Sequence, residues 1–212
     1  GKFRYGAKLA YTVSDKENFN NYNATGAVNG LLTAIPTMPV YDENRLGGYG
    51  GADNLTQRAI TLNVIGFNNL IDNNNNRNRF IGSAWGELEI IEGLKYTLRA
   101  SADVLNWDTK YFNPPSDLGW YYITTNEESA LDVTTGKETR TILDNLITYE
   151  RQIKKHKFDI LLGVVQERFE HYNHIGRGVG YEPGEISHLE YADDISGREY
   201  ESTITSLSYI NR

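Results

Sequence analysis

Cysteine is absent from these 212 residues, and with it go the disulfide scaffold, the thiolate zinc site and the cysteine nucleophile. Basic residues are in deficit, 21 against 28 acids, which gives a net charge of -7 and a pI near 5.2. A nucleic-acid binder usually shows a basic face, so that class is disfavoured. No run of 18 apolar residues occurs, so no transmembrane helix is encoded. The first residues lack the basic-then-apolar pattern of a secretory signal. Methionine occurs once and proline five times, while Tyr reaches 15, Gly 20 and Asn 21. Tyr favours strands, and Gly and Asn favour turns. The balance predicts an all-β chain with large polar loops.

Alternation carries that prediction further. Phe3, Tyr5, Ala7, Leu9, Tyr11 and Val13 fall on one side of a strand over 2–14, with Arg4 and Lys8 opposite. The same period recurs over 78–91, 94–106, 140–152, 157–170 and 199–212. These pieces form an antiparallel up-and-down meander of six long strands. Glu92-Gly93 and the stretch 153–156 make short turns, while 15–77, 107–139 and 171–198 are long loops. Short and long connections alternate, so every long loop lies at one end of the sheet. A soluble sandwich has no reason to sort its loops this way, whereas an outer-membrane barrel does. The three long stretches carry a net -9 and the remainder +2.

Strand length agrees. The runs reach about 12–14 residues, where a membrane-crossing strand needs about 9–11 and ordinary strands average about 5–6. Glu87, Arg99, Asp103, Asp144 and Asp159 share the polar side with Lys8. Burying them in a dry core would be costly, but a water-filled lumen accepts them. The apolar side then meets lipid. Tyr5, Tyr96, Tyr149 and Phe158 predict an aromatic girdle at the short-turn end, and Trp107 one at the loop end.

Four motifs resemble the SusC/RagA family of TonB-dependent outer-membrane transporters. Pro36-Thr37-Met38-Pro39-Val40-Tyr41-Asp42 is similar to that family's Pro-x-x-Pro-Val-Tyr-Asp loop. Asn78-Arg79 with Gly82, then Glu92-Gly93-Leu94-Lys95, resembles one of its hairpins, and Leu146-Ile147-Thr148-Tyr149 with Lys155-His156 and Gly163 a second. Ser206-Leu207-Ser208-Tyr209 with Arg212 resembles a further strand, although the spacing before Arg212 is shorter by one residue. Arg45-Leu46 ahead of Gly47-Gly48 also departs from the family loop. The resemblance implies a segment of a twenty-two-stranded barrel, with the plug domain and TonB box outside 1–212. It further implies a cell outer-membrane location, a SusD-like surface lipoprotein as lid, coupling to the TonB complex through the plug, and uptake of a glycan or peptide nutrient.

No catalytic constellation can be placed, so the chain is read as a non-enzyme with no cofactor and no resident metal. His171, His174 and His188 fall in an acidic stretch without a known ligand spacing. The run Asp72-Asn73-Asn74-Asn75-Asn76 reads as a polar loop, and Gly47-Gly48-Tyr49-Gly50-Gly51 as a mobile loop tip. The loop 107–139 collects aromatic residues, and Tyr111, Trp120, Tyr121 and Tyr122 are the candidate ligand contacts, because flat rings suit sugar faces. Residues 24–34 space Val28, Leu31, Leu32 and Ile35 as a short helix in the first loop. The leading function is TonB-driven nutrient import. A passive porin or adhesin barrel and a soluble β-sandwich carbohydrate-binding module are the alternatives.

Overall fold

The computed structural model describes residues 2–17, 27–52, 61–119, 126–182 and 187–212. They form one antiparallel sheet whose six strands lie in chain order. The strands are β1 (Phe3–Glu17), β2 (Asp72–Ile91), β3 (Leu94–Asn113), β4 (Ala130–Ile153), β5 (His156–Val179) and β6 (Asp194–Asn211). Each pairs with the next, so this is an up-and-down meander of the kind that makes a barrel wall. Two short turns join β2 to β3 and β4 to β5. Gly93 sits at φ 81, where a side chain would drive its Cβ to 2.1 Å from the Glu150 carbonyl oxygen. Lys154 adopts φ 56 to close the other turn.

The strands outrun the sequence reading on their loop side. The asparagine run 72–76 is not a loop: it opens β2 and pairs with both Asn74–Glu17 and Asp72–Phe112 partners in β1 and β3. Residues 107–113, 130–139, 171–179 and 194–198 are likewise strand. Alternation fades there because a strand projecting into water on both sides needs no apolar face, while the backbone ladder continues. The helix expected near 24–34 appears as α1 (Ala27–Thr33), and a second one, α2 (Val64–Leu70), was not foreseen.

Register rows fix the two faces. Tyr5, Gly86, Leu98, Asn145, Val164 and Tyr209 lie in one row and on one face. That face carries no charged side chain from Phe3 to Val13, from Phe80 to Ile90, from Leu94 to Val104, from Leu143 to Tyr149 or from Phe158 to Val164. Tyr5, Tyr96, Tyr149 and Phe158 all belong to it, at the turn end. Its large side chains are exposed; Tyr5 is 79% and Leu9 76% accessible. Asn145 is the polar exception inside the band, and the Tyr96 hydroxyl donates to its Oδ1 at 2.7 Å.

The apolar band crosses the strands obliquely. Val13 ends the run on β1, and its row passes through Asn78, Asn106, Lys137 and Tyr172 to Glu201 on β6. On β6 the run ends at Leu207, six residues nearer the turn end, and Val164 on β5 ends lower still. Six residues of strand are roughly 20 Å and five strand spacings roughly 24 Å, a slant of about 40°. The other edge drops in the same sense. Leu94 pairs with Tyr149, so the β4–β5 turn reaches four residues beyond the β2–β3 turn. Strands tilted by about 35–45° through a flat slab of hydrocarbon require such a slanted band.

Beyond the sheet, the first two long connections pack on each other. Leu62 and Leu118 are buried, with Tyr49, Phe67 and Leu70 against them. Asn63 caps α2, its side chain accepting from the Gly66 N–H at 3.0 Å and donating to the carbonyls of Val40 and Gly50 at 2.8 Å each. Arg45 donates to the Asp117 carboxylate at 2.8 Å and to the carbonyls of Asp117, Gly119 and Gly51. The segment 47–51 is therefore no loop tip. Tyr41 bridges to Tyr49, and a Cβ on Gly50 would lie 1.9 Å from the Pro39 carbonyl oxygen. The third connection folds onto the apolar-face side of β4 and β5. There Leu131 and Tyr181 are buried, and Phe112 meets Tyr181 edge-on.

Candidate functional site

The chemistry gathers on the opposite, polar face. Arg4 pairs with Glu87 across β1 and β2. Arg79 grips Asp103 through two bonds of 2.9 and 2.6 Å. Arg99 lies 3.9 Å from Asp144, Arg140 3.4 Å from Glu167 and Arg177 3.2 Å from Asp132. These pairs share one face because each partner has the same parity along its strand. Isolated exposed pairs contribute little to stability. Their consequence here is local electrostatic balance at these five arginines; Arg77, on the same face, instead donates to Asn75 Oδ1 at 3.0 Å.

Between two of these pairs lies a hollow of about 270 Å³, lined by Arg79, Asp103, Leu105, Glu138, Arg140 and Phe169. The Arg140 guanidinium stands 5.5 Å from the centre of the Phe169 ring, a cation–π distance. Directly on the loop side of the hollow, three rings form an arc. Trp107 and His171 lie 5.7 Å apart between centroids, and so do His171 and Tyr200. His171 Nδ1 is 3.2 Å from Glu138 Oε1. The Trp107 indole lies across Gly136, its register partner, where a Cβ would come within 2.1 Å of the ring. Trp85 covers Gly6 in the same manner. Aromatic cover of a cross-strand glycine is a recognised way of firming such a site.

A larger hollow of about 570 Å³ lies on the other face. Small side chains, Ala7, Gly82, Ala84, Ala100 and Ala102, leave this gap in the apolar band, and Gln166 and Arg168 bound it on β5.

Of the four candidate ligand residues, Trp120, Tyr121 and Tyr122 lie outside the described residues. Tyr111 is in β3 rather than a loop, on the polar face, in register with Asp132. Burial, and secondarily the Asp132 carboxylate, push its phenol above the usual tyrosine range. Trp107 is not a girdle residue: it shares the parity of Arg99 and Asp103 and faces the polar side. His171 and His174 stand in β5 on opposite faces, not in an acidic loop. Among the described residues no group of three metal-ligating side chains exists. The arc of Trp107, His171 and Tyr200 escaped the sequence reading, although parity alone places Trp107 with the charged residues.

A slanted band without charged side chains, backed by a face that carries ion pairs, on six meandering strands, defines a segment of a transmembrane β-barrel wall. No family model matches the chain, and no curated protein does. Solved structures do. The structure of the RagAB peptide transporter superposes with a TM-score of 0.70 at 16% identity, over 98% of this chain and 24% of that one. The RagAB peptide importer in its "open-open" state gives 0.68 at 15% identity, and in its "closed-closed" state 0.61 at 15%. The chain thus spans about a quarter of the length of these structures, and shares the fold of that quarter.

Proposed function

We propose that the chain is part of the barrel wall of an active outer-membrane importer. It takes up an oligosaccharide or peptide nutrient, is driven by TonB coupling and is paired with a SusD-like surface lipoprotein. The observation that carries this reading is the slanted band without charge. Hydrocarbon is the solvent such a surface suits, and the paired charges behind it suit an aqueous lumen. The fold likeness to a peptide transporter and the motif resemblance point the same way. On this reading β1 and β6 pair with further strands, because unpaired backbone in lipid costs several kcal/mol per group, about the transfer cost of a bare amide. The long connections then face outward. Two sheets would be needed for a soluble sandwich, and the described residues hold one.

The test uses the full-length gene product in its own membrane. It should fractionate with the outer membrane and shift in gel mobility on heating. Uptake of labelled oligosaccharide or peptide should stop when TonB is deleted. Uptake indifferent to TonB would replace the importer with a passive porin. A heat-insensitive protein released without detergent would remove the barrel itself.

A further inference from the structure

We infer that the loop-side stretch of the polar face is an anion-selecting belt that holds the carboxylates of an acidic oligomer. The inference rests on the reading that this face lines an aqueous passage, and it names the charge of the solute that passes. Two neighbouring rows of the register make the belt. One runs from Ser14 through Arg77 and Trp107 to Tyr200, and the next from Lys16 through Asn75 and Thr109 to Arg198. Together the two rows carry three cations, Lys16, Arg77 and Arg198, and no carboxylate. All three of these residues are exposed.

Their charge is uncompensated. Arg77 donates to the neutral Asn75 Oδ1, and among the described residues none of the three makes an ion pair. Arg77 is in register with Ser14 and Trp107, and Arg198 with Ile175, so no acid stands opposite either. The acids in the two bordering rows are engaged elsewhere: Asp132 pairs with Arg177, and Glu138 faces His171.

Charge at this height is also sorted by face. The two interleaved rows of the opposite face hold Asp15, Asp108, Glu199 and Glu201 against one cation, Lys137. Charges scattered only for solubility would not divide this way within the same short stretch of each strand. Cations of one sign on the wall of a passage raise the local concentration of anions there. Arginine suits the task, since its planar fork binds a carboxylate through two parallel N–H donors. Arg77 and Arg198 stand four strand spacings apart, roughly 19 Å. About six residues of extended peptide cover that span, so an oligomer with carboxylates near both ends meets both guanidiniums. Between them Trp107, His171 and Tyr200 offer ring faces to the uncharged part of the chain.

Isothermal titration of the full-length protein in detergent decides this. The probes are an acetylated, amidated hexapeptide carrying glutamates, its glutamine and lysine counterparts, a uronic-acid hexamer and a neutral hexose hexamer. At least one acidic probe should bind roughly tenfold or more tighter than its neutral counterpart, and added salt should weaken it. Whichever acidic probe binds names the source of the carboxylates. Arg77→Gln and Arg198→Gln should each weaken that binding roughly three- to tenfold, and Arg77→Lys should restore most of it. Lys137→Gln, which removes a cation at the same height from the opposite face, should leave binding unchanged. Each variant must retain the wild-type heat-dependent mobility; if Arg77→Gln does not, Arg198→Gln and the salt series carry the decision. The belt is overturned if no acidic probe binds, if a neutral or lysine counterpart binds as tightly, or if the arginine variants bind like wild type. TonB-dependent uptake measured in parallel separates the two claims. Uptake with no preference for acidic probes sinks the belt alone, and acid-selective binding without TonB dependence sinks the importer alone.

Discussion

Ala100 and Ser101 are neighbours in β3 that face opposite ways, and an arginine at each should have very different consequences. Ala100 lies in a row with Ala7, Ala84 and Leu143. It is four residues from Val104 at one edge of the apolar band and six from Leu94 at the other, so it sits near mid-depth. An arginine on the lipid face of a barrel at mid-depth costs about 2–4 kcal/mol. Ser101 lies in a row with Lys8, Ser83, Ile142 and Glu167. An arginine there meets water and a carboxylate, and the cost should stay below about 1 kcal/mol. The difference between Ala100→Arg and Ser101→Arg is therefore about 1–4 kcal/mol, which is roughly five- to a thousandfold in the folded-to-unfolded ratio. The assay is reversible urea unfolding of the full-length protein in lipid vesicles, followed by tryptophan fluorescence. If the apolar face met water instead, both substitutions would fall within about 0.5 kcal/mol of wild type. Equal effects, or a larger one at Ser101, would refute the assignment of faces.

Three further outcomes follow from single contacts. Asn145→Leu removes the acceptor of the Tyr96 hydroxyl inside the apolar band and should cost about 1–3 kcal/mol in the same assay, and adding Tyr96→Phe should recover most of it, because both polar groups are then gone. Arg45→Ala should loosen the packing of the first loop on the second, since its guanidinium reaches three acceptors there and the Gly51 carbonyl in its own loop; limited proteolysis should cut within 30–50 faster by several-fold, with strand protection unchanged. Tyr181 is buried with an unpartnered hydroxyl, and burial raises its pKa. Its neutral form is favoured in the fold, so the contribution is present below the unfolded pKa near 10 and is lost as pH rises through the folded value. Phenolate absorbance should show a late phase to which Tyr181 and Tyr111 both contribute, and Tyr181→Phe should shrink that phase by one tyrosine and leave stability equal or up to about 2 kcal/mol higher.

How much of this was legible beforehand depends on which solvent each residue meets. Inside the membrane band one face is constrained to be apolar, so Phe3–Val13 and Leu94–Val104 could be read by parity. Past the band both faces meet water, and nothing in Asp72–Asn76 or Lys137–Thr139 betrays a strand. Only the backbone ladder shows it, and a ladder is a property of pairs of segments rather than of one. The slant has the same origin. It appears once Val13 is traced through five pairings to Glu201, and no single strand contains it. The loop core was hidden for a different reason: Arg45 and Asp117 are seventy-two positions apart, and the glycines 47–51 signal only backbone freedom, not the surface that will use it. Trp107 is the instructive failure. A tryptophan near a presumed strand end suggested a girdle, but the strand does not end there, and alternation from Arg99 through Asp103 already carried the indole to the polar side. Parity outranks residue type on a sheet because the pleat decides the face, and an aromatic ring is tolerated on either side provided a glycine leaves room for it. Gly136 leaves that room, and that is why an indole can lie flat on a polar face that also carries ion pairs.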